Sequence, residues 1–154
     1  MLAAALALQL TTVLVFTTTD CPISNRYAPE IQRLAEKFES DVEFVFVYPV
    51  ASDSEEKIRE HRRRFGGGQW RRDPAQEMVK FTGATVTPEV AVITKDRKIL
   101  YRGRIDDRYV AFGKDRPQPT VRDLERSLEA IIAGRPVPVP QTQAIGCFIA
   151  DLVK

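Results

Sequence analysis

Cys21 stands where an apolar run gives way to a helical pattern, and that junction constrains the fold more than any other feature of the chain. Val13-Leu14-Val15-Phe16 reads as a short buried strand. Tyr27, Ile31, Leu34 and Phe38 then recur at spacings of four, three and four, which places them along one helical face. A sulfur at a strand-to-helix turn points at the unpaired N–H groups of the helix N-terminus, where the macrodipole favours an anion. The thiolate, which is the reactive form, is stabilised there over the thiol. A redox nucleophile at Cys21 is the expectation.

The rest of the chain continues in alternating elements. Val42-Glu43-Phe44-Val45-Phe46-Val47-Tyr48 is a second, nearly apolar strand, and a strand–helix–strand succession implies a parallel pair with a right-handed crossover. Ser52-Asp53-Ser54-Glu55 predicts a capping box for a helix running to about Arg64, broken by Gly66-Gly67-Gly68. Asp73 and Pro74 predict the start of another helix, which Gly83 ends. Strands at 90–94 and 99–104, joined by Lys95-Asp96-Arg97-Lys98, read as an antiparallel hairpin at the sheet edge. Thr120-Val121-Arg122-Asp123 predicts the cap of a final helix, whose buried stripe is Val121, Leu124, Leu128, Ile131 and Ile132 and whose end is Gly134. Pro136, Pro138 and Pro140 make an extended tail. The domain is expected over 1–134, with 135–154 as a proline-rich tail carrying Cys147.

With 154 residues the chain suits one domain with a real core. Its net charge of +2 gives no bulk reason to expect nucleic acid or an anionic membrane as partner. Two distant cysteines and a single histidine, His61, cannot build a zinc-type cluster by spacing, and no cofactor is implied. The first ten residues resemble the apolar part of a secretion signal but lack a basic start. No run is long enough to cross a membrane. Two cysteines that can pair lean toward an extracytoplasmic compartment, although a catalytic pair would also serve in the cytosol.

The layout of strand, Cys21 and helix resembles the thioredoxin-like superfamily. Val86-Thr87-Pro88-Glu89-Val90 looks like the loop of that fold whose proline is cis and faces the reactive cysteine. Asp20-Cys21-Pro22-Ile23-Ser24-Asn25-Arg26-Tyr27-Ala28-Pro29-Glu30 and Tyr101-Arg102-Gly103-Arg104-Ile105-Asp106-Asp107 are similar to a redoxin branch related to the alkyl hydroperoxide reductase/thiol-specific antioxidant proteins. The resemblance spans residues 12–148. It implies an α/β fold, a three-layer α/β/α sandwich around a central mixed sheet. It also implies a thiol oxidoreductase or antioxidant that meets a peroxide or disulfide substrate and a thiol reductant protein. A homodimer is one assembly open to such a chain.

The fourth position of the thioredoxin Cys-x-x-Cys dithiol is Ser24 here, so the local disulfide cannot form. A one-cysteine centre or a distant partner follows. Cys147, behind the prolines and after Gly146, is either a resolving cysteine, half of a static bridge, or unpaired with Cys21. Thr18 has the spacing of the peroxiredoxin hydroxyl that holds peroxide oxygens; its bland reading is a β-former at a strand end. The peroxiredoxin arginine is replaced by the Thr87-Pro88 loop, and Arg26 or Arg104 are the substitutes for its charge. Thr87, Pro88 and Glu89 form the expected wall opposite Cys21, where an extended substrate can add as a short β-bridge. Glu89 would either raise the Cys21 pKa or shuttle its proton, or be a solvated carboxylate. His61, among charges, reads as solvated. Asp106 and Asp107 read as capping or ion-pairing groups rather than a cation site. The rivals to a redox enzyme are a copper-handling module using Cys21, Cys147 and His61, and a non-catalytic domain binding peptide along Thr87-Pro88-Glu89.

Overall fold

The computed structural model describes residues 11–150; the signal-like stretch at residues 1–10 lies outside the described residues. Strand β1 (Thr11–Phe16) is the centre of a five-stranded mixed sheet. It pairs in parallel with β2 (Glu43–Tyr48), which pairs in parallel with β3 (Gln69–Arg72). On its other side β1 pairs antiparallel with β5 (Glu89–Thr94), which forms the hairpin with the edge strand β6 (Ile99–Gly103). Two-residue strands β4 (Val86–Thr87) and β9 (Cys147–Phe148) pair with each other, as do β7 (Tyr109–Ala111) and β8 (Lys114–Asp115).

Alternation along β1 divides the core. Val13 and Val15 face one layer with Ile31, Leu34, Leu124 and Leu128, while Leu14 and Phe16 face the other with Val79, Ala84 and Ile149. The first layer therefore holds α2 (Ala28–Lys37) and α5 (Asp123–Ile132), and the second holds α4 (Glu77–Thr82). The result is the expected mixed α/β sandwich.

The helix after Cys21 is interrupted. A short α1 (Pro22–Arg26) ends at Tyr27, and α2 starts anew with Pro29 in its first turn. Pro29 has no N–H to donate to the preceding turn, so the helix restarts there. The Ser52 cap moves to Ser54, whose hydroxyl accepts from Lys57 N–H at 3.3 Å and opens α3 (Glu55–Arg64). Asp73 caps α4 from a distance: its carboxylate accepts from Met78 and Val79 N–H at 3.1 and 3.2 Å, across a left-handed Gln76. Thr120 does not cap α5; its hydroxyl and N–H donate to Asp107 instead. Strand β3 was not expected, because Gln-Trp-Arg-Arg carries the polar alternation of an edge strand.

The tail is laid on the domain. Arg102 N–H donates to Pro140 O at 3.0 Å, Thr142 N–H donates to Arg102 O at 3.0 Å, and Ile149 N–H donates to Thr85 O at 3.0 Å.

Candidate active site

The register of β1 on β5 sets Phe16 opposite Glu89, so the loop leaving β1 and the loop entering β5 meet at one end of the sheet. The first carries Cys21. The second carries Thr87 and Pro88, joined by a cis peptide bond. Cys21 is the N-cap of α1, and its sulfur accepts from Ser24 N–H at 3.4 Å. With five residues, α1 contributes this one donor rather than a long helix dipole. The Cys21 thiol donates to Thr87 O at 3.2 Å. Cys147, registered opposite Thr87, places its sulfur 2.7 Å from that of Cys21. Both cysteines are free thiols. A covalent bond of about 2.05 Å needs only a small approach.

The electrostatics differ for the two sulfurs. Burial acts to raise the Cys21 pKa, but hydrogen bonds from Cys147, Ser24 and Thr87 outweigh it, and the thiol is held below its ordinary 9.0. Burial pushes Cys147 up to about 12, with the neighbouring Cys21 adding to the effect. Of the pair, Cys21 is therefore the thiol that ionises first and Cys147 the one that keeps its proton longer. The hydroxyls of Ser24 and Thr87 are buried beside the sulfur and have no other hydrogen-bond partner among the described residues. Both favour the ionised sulfur.

The loop before Cys21 is held from outside the sheet. The buried Asp53 carboxylate accepts from Thr19 N–H at 3.2 Å and from Thr19 Oγ1 at 2.5 Å. Asn25 Nδ2 donates to Thr19 O at 3.4 Å, and Asn25 Oδ1 accepts from His61 Nε2 at 2.6 Å. His61 Nδ1 accepts from Tyr48 OH at 2.7 Å, and Tyr48 OH accepts from Arg62 Nε at 2.8 Å. This order of donors fixes the Nε2–H tautomer.

Several expected residues are elsewhere. His61 is 6% exposed, not solvated, because it lies on the same α3 face as the buried Ile58. Burial and the Arg62 charge lower its pKa to about 4. Its ring nitrogens are taken by Tyr48 and Asn25, so it does not join the two cysteines around a metal. Among the described residues no group of three His, Cys, Asp or Glu is placed to hold a metal ion. Arg26 does not face Cys21; it pairs with Asp115 at 2.9 Å and donates to Tyr109 OH. Arg104 is committed to Asp123 at 2.7 Å. Glu89 is neither solvated nor aimed at the sulfur. It is buried, accepts from Thr85 N–H at 3.0 Å and lies 3.6 Å from Arg102. Thr18 is half-buried in the loop two residues past the end of β1 and is not among the groups bonded to the Cys21 sulfur. Asp106 accepts from Tyr27 OH at 2.6 Å, and Asp107 accepts from Thr120 and Val121 N–H.

The sequence reading missed Ser24 as a partner of the sulfur, and Asp53, Asn25, Tyr48 and His61 as supports of its loop. The spacing of Ile58, His61 and Arg62, one helical face, was the available signal for the last of these.

Residues 5–112 match the Redoxin family. The chain belongs to the redoxin family, within the thioredoxin-like superfamily. It is similar to an uncharacterized conserved protein from Geobacillus kaustophilus, with 28% identity, a TM-score of 0.78, and coverage of 95% of this chain and 79% of that one. A hypothetical protein from Sinorhizobium meliloti 1021 is 22% identical with a TM-score of 0.79, covering 99% and 85%. A secreted Mycobacterium tuberculosis disulfide oxidoreductase is 17% identical with a TM-score of 0.53, covering 84% and 85%. A sequence search of curated proteins gives no match. No helix among the described residues is long and apolar enough to cross a membrane.

Proposed function

We propose that the protein is a dithiol–disulfide oxidoreductase in which Cys21 attacks and Cys147 resolves. The observation that carries this reading is the 2.7 Å separation of the two sulfurs. The Cys21 thiolate attacks one sulfur of a substrate disulfide, and the other sulfur leaves with the electron pair as a thiolate. Cys147, giving up its proton, then attacks the Cys21 sulfur of the mixed disulfide. The second substrate sulfur leaves and takes a proton. The substrate ends as two thiols and the protein as a Cys21–Cys147 disulfide, which an external dithiol reductant reopens.

Disulfide exchange is favoured over peroxide reduction by the surroundings of the sulfur. Thiol, hydroxyl and amide donors face it, while Arg26 and Arg104 are engaged by Asp115 and Asp123. Thr87 and Pro88 form the wall of the site. Membership of the redoxin family supports thiol-dependent redox chemistry. The Mycobacterium tuberculosis neighbour is described as secreted, which supports an extracytoplasmic compartment.

The test is trapping with oxidised glutathione. Cys147→Ser should accumulate a glutathione adduct on Cys21, whereas the wild type should pass through it to the internal disulfide. A wild type that stops at a stable adduct contradicts the resolving role, and a Cys21 that forms no adduct contradicts the whole reading.

A further inference from the structure

The tail binds the domain as a separate peptide would. Its main chain is bonded to Arg102 and Thr85, and β9 adds antiparallel to β4. Its side chains alternate: Cys147 faces Cys21, Phe148 is 85% exposed, and Ile149 is 3% exposed in the core beside Leu14 and Val79. That is how an extended ligand augments a strand edge, with backbone bonds for affinity and alternate side chains for selection. The contact is close enough to select for glycine. A Cβ on Gly146 would collide with the Thr87 carbonyl and reach 3.2 Å from Pro88 N. With the tail in place Cys21 is 2% exposed, and Cys147 of β9 lies directly against its sulfur.

Building on the disulfide-exchange reading, we propose that β9 is an internal stand-in for the substrate, and that resolution is a strand exchange on the Val86–Thr87 edge. The substrate is an extended segment of a partner protein with half of a disulfide at the Cys147 position. A glycine precedes that cysteine, matching Gly146, and an apolar residue follows two positions later, matching Ile149. The partner strand displaces β9 and its disulfide is attacked by Cys21, expelling the partner's other cysteine as a thiolate. Return of β9 to the edge both ejects the partner strand and delivers Cys147 to the mixed disulfide. The Cys21–Cys147 bond forms as the Cys21–partner bond breaks, and the partner thiolate takes the proton lost by Cys147.

The experiment uses the reduced full chain in a Cys147→Ser background, so that Cys21 is the only thiol. Adding Gly146→Val should lift β9, and iodoacetamide should then modify Cys21 at least tenfold faster. Gly146→Ala makes a smaller collision and should shift the rate in the same direction by less. It decides the matter if circular dichroism shows the valine variant unfolded. The second arm uses a synthetic peptide of residues 141–150 whose cysteine is activated as a thionitrobenzoate mixed disulfide. It should transfer to Cys21 faster on the Gly146 variants than on Cys147→Ser alone, and a peptide with valine for its glycine should transfer more slowly. Unchanged alkylation in a folded Gly146 variant, or transfer indifferent to the peptide glycine, overturns the strand exchange. A wild type that never links Cys21 to Cys147 with oxidised glutathione overturns instead the disulfide reading beneath it.

Discussion

Cys147 is registered opposite Thr87 in the β4–β9 pair, and this backbone register brings its sulfur to 2.7 Å from that of Cys21. The two thiols have unlike surroundings as a result. In the reduced protein, one should ionise below the ordinary 9.0 and the other should remain protonated to about 12. Ultraviolet thiolate absorbance against pH checks this as two separated steps. Cys147→Ala removes a donor and should raise the Cys21 midpoint, as should Thr87→Val. A Cys21 midpoint at or above that of a free thiol contradicts the account.

His61 should make the fold acid-sensitive. Its pKa is lowered from 6.5 to about 4, so the unfolded chain binds the proton more readily. Its contribution is complete above pH 6.5, falls as the pH drops through the interval, and levels off below about 4. The loss is on the order of 3 kcal/mol. Urea unfolding across that interval should show a shallower pH dependence in His61→Gln than in the wild type.

Asp53 holds the loop that leads into Cys21. Asp53→Ala leaves Thr19 N–H and Oγ1 without their acceptor and should cost about 1–3 kcal/mol by chemical denaturation. The alkylation rate of Cys21 should change with it, because the loop that positions the sulfur is loosened. A variant as stable as the wild type, with the same rate, would show that the carboxylate is not holding the loop.

Ile149 ties the tail to the core beneath α4 and should be expensive to truncate. Ile149→Ala removes a buried side chain from the cluster with Leu14, Phe16 and Val79. The expected loss is about 2–4 kcal/mol. Limited proteolysis should also cut the tail sooner in this variant than in the wild type, because the anchor beyond Cys147 is weakened.

The strand at 11–16, the helix stripe of Ile31, Leu34 and Phe38, and the 89–103 hairpin were legible because each rests on local periodicity. Cys21 and the Thr87-Pro88 loop were legible from their positions at element ends. What could not be read was set by distant packing. Arg26 was offered as a charge for the site, but Asp115, on a loop strand with no periodic signal, claims it. Glu89 follows the proline of the loop yet turns away, because the Thr85 N–H and Arg102 receive its carboxylate. His61 sits in a run of charges that hides its helical face. The docking of the tail depends on two missing Cβ atoms, at Gly146 against Thr87 and at Gly103 against Thr142, and only the folded backbone shows which groups these glycines approach.

The central claim is that Cys21 and Cys147 exchange disulfides as one unit, and intact mass with a free-thiol count tests it most directly. The reduced wild type and Cys147→Ser are each treated with one equivalent of oxidised glutathione and quenched over time. The account predicts that the wild type loses both thiols and two hydrogens while retaining no glutathione, and that Cys147→Ser retains one glutathione on Cys21. A wild type that keeps both thiols free, or that holds glutathione as stably as the variant, would contradict it.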